Sequence, residues 1–172
     1  MLWTLHRRTA TTLVRAIASI AVSVYVAGIV ANTLLPIYLG DAGLRPHWRV
    51  FLNLVPLADT ELTDMLQNVV VFAPLGALLP IVARIDSAWR VLVCGFLLSL
   101  AMELLQLANA VTGHGGHVAD VNDLLANTMG APLGYGIYRC ALLVPPVARL
   151  LTAMTWPART DASRRAQPAK LP

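Results

Sequence analysis

Four long apolar runs divide the chain, near Ile17 to Leu39, Met65 to Ala83, Val91 to Ala110 and Val121 to Val144. Each can cross roughly 30 Å of hydrocarbon at about 1.5 Å per helical residue, so the pattern predicts an all-α, polytopic membrane protein with four transmembrane helices. Polar residues are grouped within these runs. Gln67 and Asn68 open the second, Glu103 and Gln106 lie late in the third one turn apart, and Asp120, Asn122, Asp123 and Asn127 open the fourth. Asp120, Asp123 and Asn127 recur at helical spacing as one stripe. Ala126, Gly130 and Gly134 continue beside it as a row of small residues that another helix can approach closely. Pro74 and Pro132 interrupt the hydrogen-bond ladders of the second and fourth helices and suggest bends there.

Composition agrees with the pattern. Hydrophobic residues make up 57% of the chain and charged residues 13%, with a mean hydropathy of +0.65; a soluble domain carries about 45–50% and about 25%. Residues 1–150 read as one transmembrane domain without a repeat period, and 151–172 as a basic tail, disordered and cytoplasmic, with Pro157, Pro168 and Pro172 among Arg, Ser and Ala. The first run is longer than the apolar core of a secretory signal and lacks a clear cleavage site, so it is read as a retained helix. Eleven Lys and Arg residues flank the helices on the side of the two termini, against Arg45 and Arg49 on the other. This asymmetry predicts cytoplasmic termini in a bacterial inner membrane. It also accounts for the net charge of +4 without nucleic-acid binding. Cys94 and Cys140 fall on the reducing side and are expected to stay unpaired.

With that topology the polar ends of three helices meet near the outer face. Glu103 lies thirteen residues after Arg90, about 20 Å into the membrane from the inside. The inner halves of the helices hold nothing comparable, which suggests a cavity open to the outside. A continuous ion path would need polar groups at both depths. The candidate binding residues are Asn68, Glu103, Gln106, His117, Asp120, Asp123 and Asn127, with Glu103 and Asp123 as candidates for acid and base work. The plainer alternative is that Glu103 ties its helix to Asn68 or Asn127 and binds nothing. His114, His117, Asp120 and Asp123 recur every three residues and have the chemistry of zinc ligands, but the spacing is loose, so no metal is expected and His117 is expected to pair with a carboxylate. No cofactor motif appears. Between helices one and two, Leu44 to Leu62 carries Trp48, Phe51, Leu52 and Val55 around Asn53 and Pro56. Such a segment can lie in the interface as a lid or stand as a solvated loop with apolar anchors.

Three blocks carry a resemblance: Asn53-Leu54-Val55-Pro56-Leu57; Asn68 to Gly76 with Leu78-Leu79-Pro80; and Glu103-Leu104-Leu105-Gln106 followed by Asp120 to Tyr135. In this order they resemble the VanZ-like family of small bacterial membrane proteins. The resemblance implies a multi-helix membrane protein, in a family named for a member linked to low-level resistance to the glycopeptide teicoplanin. One departure is Gly116-His117, where the family usually has Gly-Arg. An arginine would grip an anionic group, and histidine offers a weaker, pH-dependent hold.

The leading expectation is therefore a protein of the lipid bilayer that binds a lipid-linked envelope precursor or lipid headgroup and contributes to glycopeptide resistance or envelope homeostasis. Its rivals are an enzyme modifying a lipid-linked substrate and a small transporter or flippase. A homo-oligomer formed through the Ala126, Gly130, Gly134 row is a further expected partner arrangement.

Overall fold

The computed structural model describes residues 13–35, 47–57, 61–114 and 116–155. Among them are α1 (Leu13–Leu34), α2 (Leu62–Val82), α3 (Ala88–Val111), α4 (Val121–Ala141) and α5 (Pro145–Met154). A 3-10 turn at Trp48–Phe51 and two short strands, β1 (Leu52–Asn53) and β2 (Ala119–Asp120), complete the order. The first residues of the expected disordered tail, 151–154, are helical as the end of α5; the tail from residue 156, Arg7, Arg8 and Arg45 lie outside the described residues, as does the last part of the expected first helix.

Three helices, α1, α2 and α3, are long and apolar enough to cross a membrane. The fourth forms where expected but does not join them on composition. It is as long as α2 at 21 residues, yet Asn122, Asp123, Asn127 and Arg139 share it with three glycines.

Prolines explain the largest boundary differences from the sequence reading. α1 ends at Leu34, since Leu35 precedes Pro36 and a residue before proline is steered away from helical geometry. The helix of the expected fourth run ends at Ala141, three residues short of Val144, and a separate helix follows the run. Val144 precedes Pro145 and takes an extended conformation (φ −95°, ψ 109°), so the chain turns after Ala141 and restarts as α5 with proline in its first turn.

The packing buries small and polar groups and turns large apolar side chains outward. Ser99, Gly76, Gly95, Gly130 and Ala131 are buried, while Val24, Val70, Leu97 and Leu133 are exposed. That distribution suits helices whose outer solvent is lipid. α4 is central, packed chiefly on α2 and then on α3. A Cβ added to Gly134 would overlap the Ala73 carbonyl, and one added to Gly76 would overlap the Ala131 carbonyl. Ala131 also presses its own Cβ toward Gly95 of α3.

These contacts explain one local motif and correct one expectation. Ala73-Pro74-Leu75-Gly76 recurs as Ala131-Pro132-Leu133-Gly134, and the copies face each other reciprocally, alanine carbonyl against glycine, in two parallel helices. The row Ala126, Gly130, Gly134 is buried within the chain, with Gly130 against Val69 and Phe72. A second copy would have to use another face.

α1 and α3 run opposite to α2 and α4. Leu35, just past α1, reaches the end where α2 and α4 begin, and Arg15 Nε donates to the Ala153 carbonyl of α5 at the other end (3.3 Å). α1 is held more loosely than α2, α3 or α4. Tyr25 donates its hydroxyl proton to the Val71 carbonyl (3.0 Å), and an apolar groove of about 260 Å³ remains between α1 and its neighbours. At the α5 end, Tyr135 and Arg139 both donate to Asp86 (2.8 and 3.3 Å), tying the α2–α3 turn to α4. Cys94 and Cys140 are free.

Candidate functional site

At the end where α2 and α4 begin, the helices diverge around a cavity of about 440 Å³. α2 contributes Asp64, Gln67 and Asn68; α3 contributes Met102, Glu103 and Gln106; α4 contributes Asp123 and Asn127. His117, Val118 and Asp120 come from the segment leading into α4, and Asn32 from the last turns of α1. All seven residues singled out from the sequence line this one space.

Helix geometry explains the convergence. Glu103 and Gln106 are one turn apart on α3, and Asp123 and Asn127 one turn apart on α4, so each helix presents a pair on one face. Parallel α2 and α4 hold their opening turns side by side, which lets Asn68 Nδ2, in the second turn of α2, donate to Asp123 Oδ1 in the first turn of α4 at 2.6 Å. Glu103, 7% exposed, accepts the backbone N–H of Asp120 through Oε2 at 2.8 Å. The sequence-level alternative tied Glu103 to Asn68 or Asn127. The observed tie is instead to the backbone that launches α4, a hydrogen bond that fixes the cavity's entrance to its floor.

Asp120 organises the mouth. It caps α4, its Oδ1 accepting the Asn122 N–H (2.7 Å), and its Oδ2 accepts from Asn53 Nδ2 (2.9 Å). β1 and β2 pair in parallel there, Leu52 opposite Ala119 and Asn53 opposite Asp120. Asn122 is fully buried and accepts the Leu57 N–H at 2.6 Å. Leu57 is held at φ 62°, a left-handed conformation unusual for leucine that is sustained by surrounding contacts. The described part of the α1–α2 segment is thus docked over the mouth by two asparagines.

Sequence reasoning missed several of these parts. Asn53 and Asn122 were not among the candidate residues, although Asn53 stands inside one of the three blocks of resemblance. A two-residue strand has no alternation to read, so the β1–β2 pairing carried no signal. Asn32, a lone amide late in an apolar run, was a legible signal left unused. His117 was expected to meet a carboxylate; its Nε2 lies 2.7 Å from the Leu35 carbonyl oxygen, linking the mouth to the end of α1.

Two wall residues keep polar atoms without partners. Gln106 Oε1 and Asn127 Oδ1 are buried and unpaired, as is Ser99 Oγ one turn further along the Glu103 face of α3. Most buried polar atoms in folded proteins are paired, and an orphan costs about 1–3 kcal/mol. Among the described residues no group of three or more His, Cys, Asp or Glu side chains is placed to hold a metal ion.

The model of one protein family, VanZ/LLP1, matches residues 20–144. The chain belongs to the VanZ/LLP1 family. The matched stretch contains every residue of the cavity and mouth described above and stops just short of α5. Comparison with curated proteins and with solved structures gave no match. Family membership and three apolar helices together fit a membrane protein of the VanZ type.

Proposed function

We propose that this VanZ/LLP1 protein is a multi-pass protein of the bacterial inner membrane, with α4 as a fourth span, both termini in the cytoplasm and the polar cavity opening outward. In this reading the cavity takes the headgroup of a lipid or lipid-linked envelope precursor, and through it the protein contributes to glycopeptide resistance of the teicoplanin type or to envelope homeostasis. The observation that carries the reading is the polar cavity of about 440 Å³ at one end of the bundle. It suits a headgroup in size, since small-ligand sites commonly occupy about 300–1,000 Å³. Arginine placement supports the orientation: Arg15, Arg84, Arg90, Arg139 and Arg149 belong to the opposite end of the helices, and Arg49 to the cavity end.

Glu103→Gln tests the reading. Glutamine keeps a carbonyl oxygen for the Asp120 N–H while removing the charge, so the protein should insert and stay folded. Expression of the natural protein is expected to raise the teicoplanin concentration that cells tolerate, and the variant to lose that increase. Identical sensitivity with and without the gene contradicts the resistance reading.

A second reading, an enzyme acting on a lipid-linked substrate, is favoured by Glu103 and Asp123 lining one cavity. It predicts lipid or wall-precursor masses that change with the gene and revert in Asp123→Asn.

A further inference from the structure

α5 lies beyond the stretch that the family model matches and takes no part in the cavity. Twenty residues separate Arg15 from Leu35, and twenty separate Val121 from Ala141, so each stretch rises about 30 Å. Leu35 meets His117 beside the start of α4, which sets Arg15 level with the end of α4. α5 begins just past that end, and in its last turn the Ala153 carbonyl accepts from Arg15 Nε at 3.3 Å. The helix therefore runs across the end of the bundle, parallel to the surface of a membrane that the bundle spans. Its residues fall into three stripes at helical spacing. Val147, Leu151 and Met154 are half-buried, on the side that packs against α1 and α2. Pro146, Leu150 and Ala153 form a second apolar stripe, which is exposed, and Leu143 just before the helix is 82% exposed. Arg149 and Thr152 form the third, exposed and polar.

Charge decides what covers the exposed apolar stripe. Arg15, Arg84, Arg90, Arg139 and Arg149 stand at this end of the bundle, and among the described residues Asp86 is the only carboxylate there, already paired with Arg139 (3.3 Å). A second copy brought face to face would set these arginines against one another, whereas an anionic lipid surface complements them. Trp89, 70% exposed at the start of α3, stands at the same end, and tryptophan is enriched at the level of lipid headgroups. We propose that α5 is an interfacial anchor: Leu143, Pro146, Leu150 and Ala153 enter the edge of the hydrocarbon, and Arg149 with its neighbouring arginines holds the phosphates of anionic lipids. This rests on the membrane-spanning part of the reading above and not on the ligand of the cavity. Because Ala153 also holds Arg15, the anchor steadies the first turn of the loosely held α1.

The test places a nitroxide spin label on the full chain, with Cys94→Ala and Cys140→Ser as background, in nanodiscs of phosphatidylcholine with and without phosphatidylglycerol. Both faces of a disc carry the same lipids, so the result does not depend on which way the protein points. In discs with phosphatidylglycerol, a label at Ala153→Cys is expected to collide mainly with oxygen, which concentrates in lipid, and one at Thr152→Cys mainly with a water-soluble nickel complex. Arg149→Gln should lower the ratio of lipid-seated to water-exposed α5 roughly fivefold, the scale of one arginine near an anionic surface. Omitting phosphatidylglycerol should lower it further. A control label at Val24→Cys, 67% exposed midway along α1, is expected to meet oxygen in every disc. Oxygen at Val24→Cys with nickel at both α5 positions overturns the anchor alone; nickel at Val24→Cys overturns the membrane-spanning reading with it. An Ala153→Cys label indifferent to phosphatidylglycerol overturns the proposal. Shielding of that label from both reagents means that protein covers the stripe, which overturns it as well.

Discussion

Asn122 joins the two halves of the mouth through one carbonyl oxygen. It is fully buried at the first turn of α4, and the backbone N–H of Leu57 points at it from a different segment. Replacing it by alanine leaves that N–H without its partner and opens a hole beneath the loop. Asn122→Ala should therefore lower stability by about 1–3 kcal/mol, measured as a shifted unfolding midpoint in detergent micelles. An unchanged midpoint would mean that the loop is not held by this bond. Residues of this kind were only half legible from sequence. Asp120, Asp123 and Asn127 declared themselves by helical spacing, and Glu103 by its depth in an apolar run. Asn53 and Asn122 are short-range in appearance and long-range in action: their partners lie 67 and 65 positions away, a separation that no local pattern encodes.

The pairing of α2 with α4 decides where these residues stand. Two copies of Ala-Pro-Leu-Gly meet with each glycine under the other helix's alanine carbonyl, so the helices sit too close for any Cβ at those positions. Gly134→Ala and Gly76→Ala should each push the pair apart and cost about 1–3 kcal/mol, the usual range for overpacking a tight contact. Gly136→Ala is the internal control, because nothing lies within 4 Å of a Cβ there. Equal stability of all three variants would contradict the close packing. The small-residue row was visible in the sequence as a surface for helix contact, and the reading erred only in the partner, which is α2 of the same chain. Helix ends were legible where proline steers them: Pro36 follows the end of α1, and Pro145 starts α5 just beyond the expected fourth run, two signals that the apolar pattern alone had overridden.

Across the whole molecule, polarity is arranged by end. Carboxylates and amides gather where α2 and α4 begin, and arginines gather at the other end, with the long apolar faces between them turned outward. Grouping of polar residues along the chain made this division legible in the sequence, since a helix in lipid leaves few places for them. The closing of the cavity was not legible, because it depends on a loop docking through backbone and amide groups. Orientation of the cavity is the claim on which the proposed function stands, and side-specific labelling reads it directly. With Cys94→Ala and Cys140→Ser as background, a cysteine at Val118, on the cavity wall, and another at Ala88, at the start of α3, are each exposed to a membrane-impermeant maleimide on intact spheroplasts. Labelling is expected at once for Val118→Cys and only after permeabilisation for Ala88→Cys; the reverse result would turn the cavity toward the cytoplasm and contradict the proposed orientation.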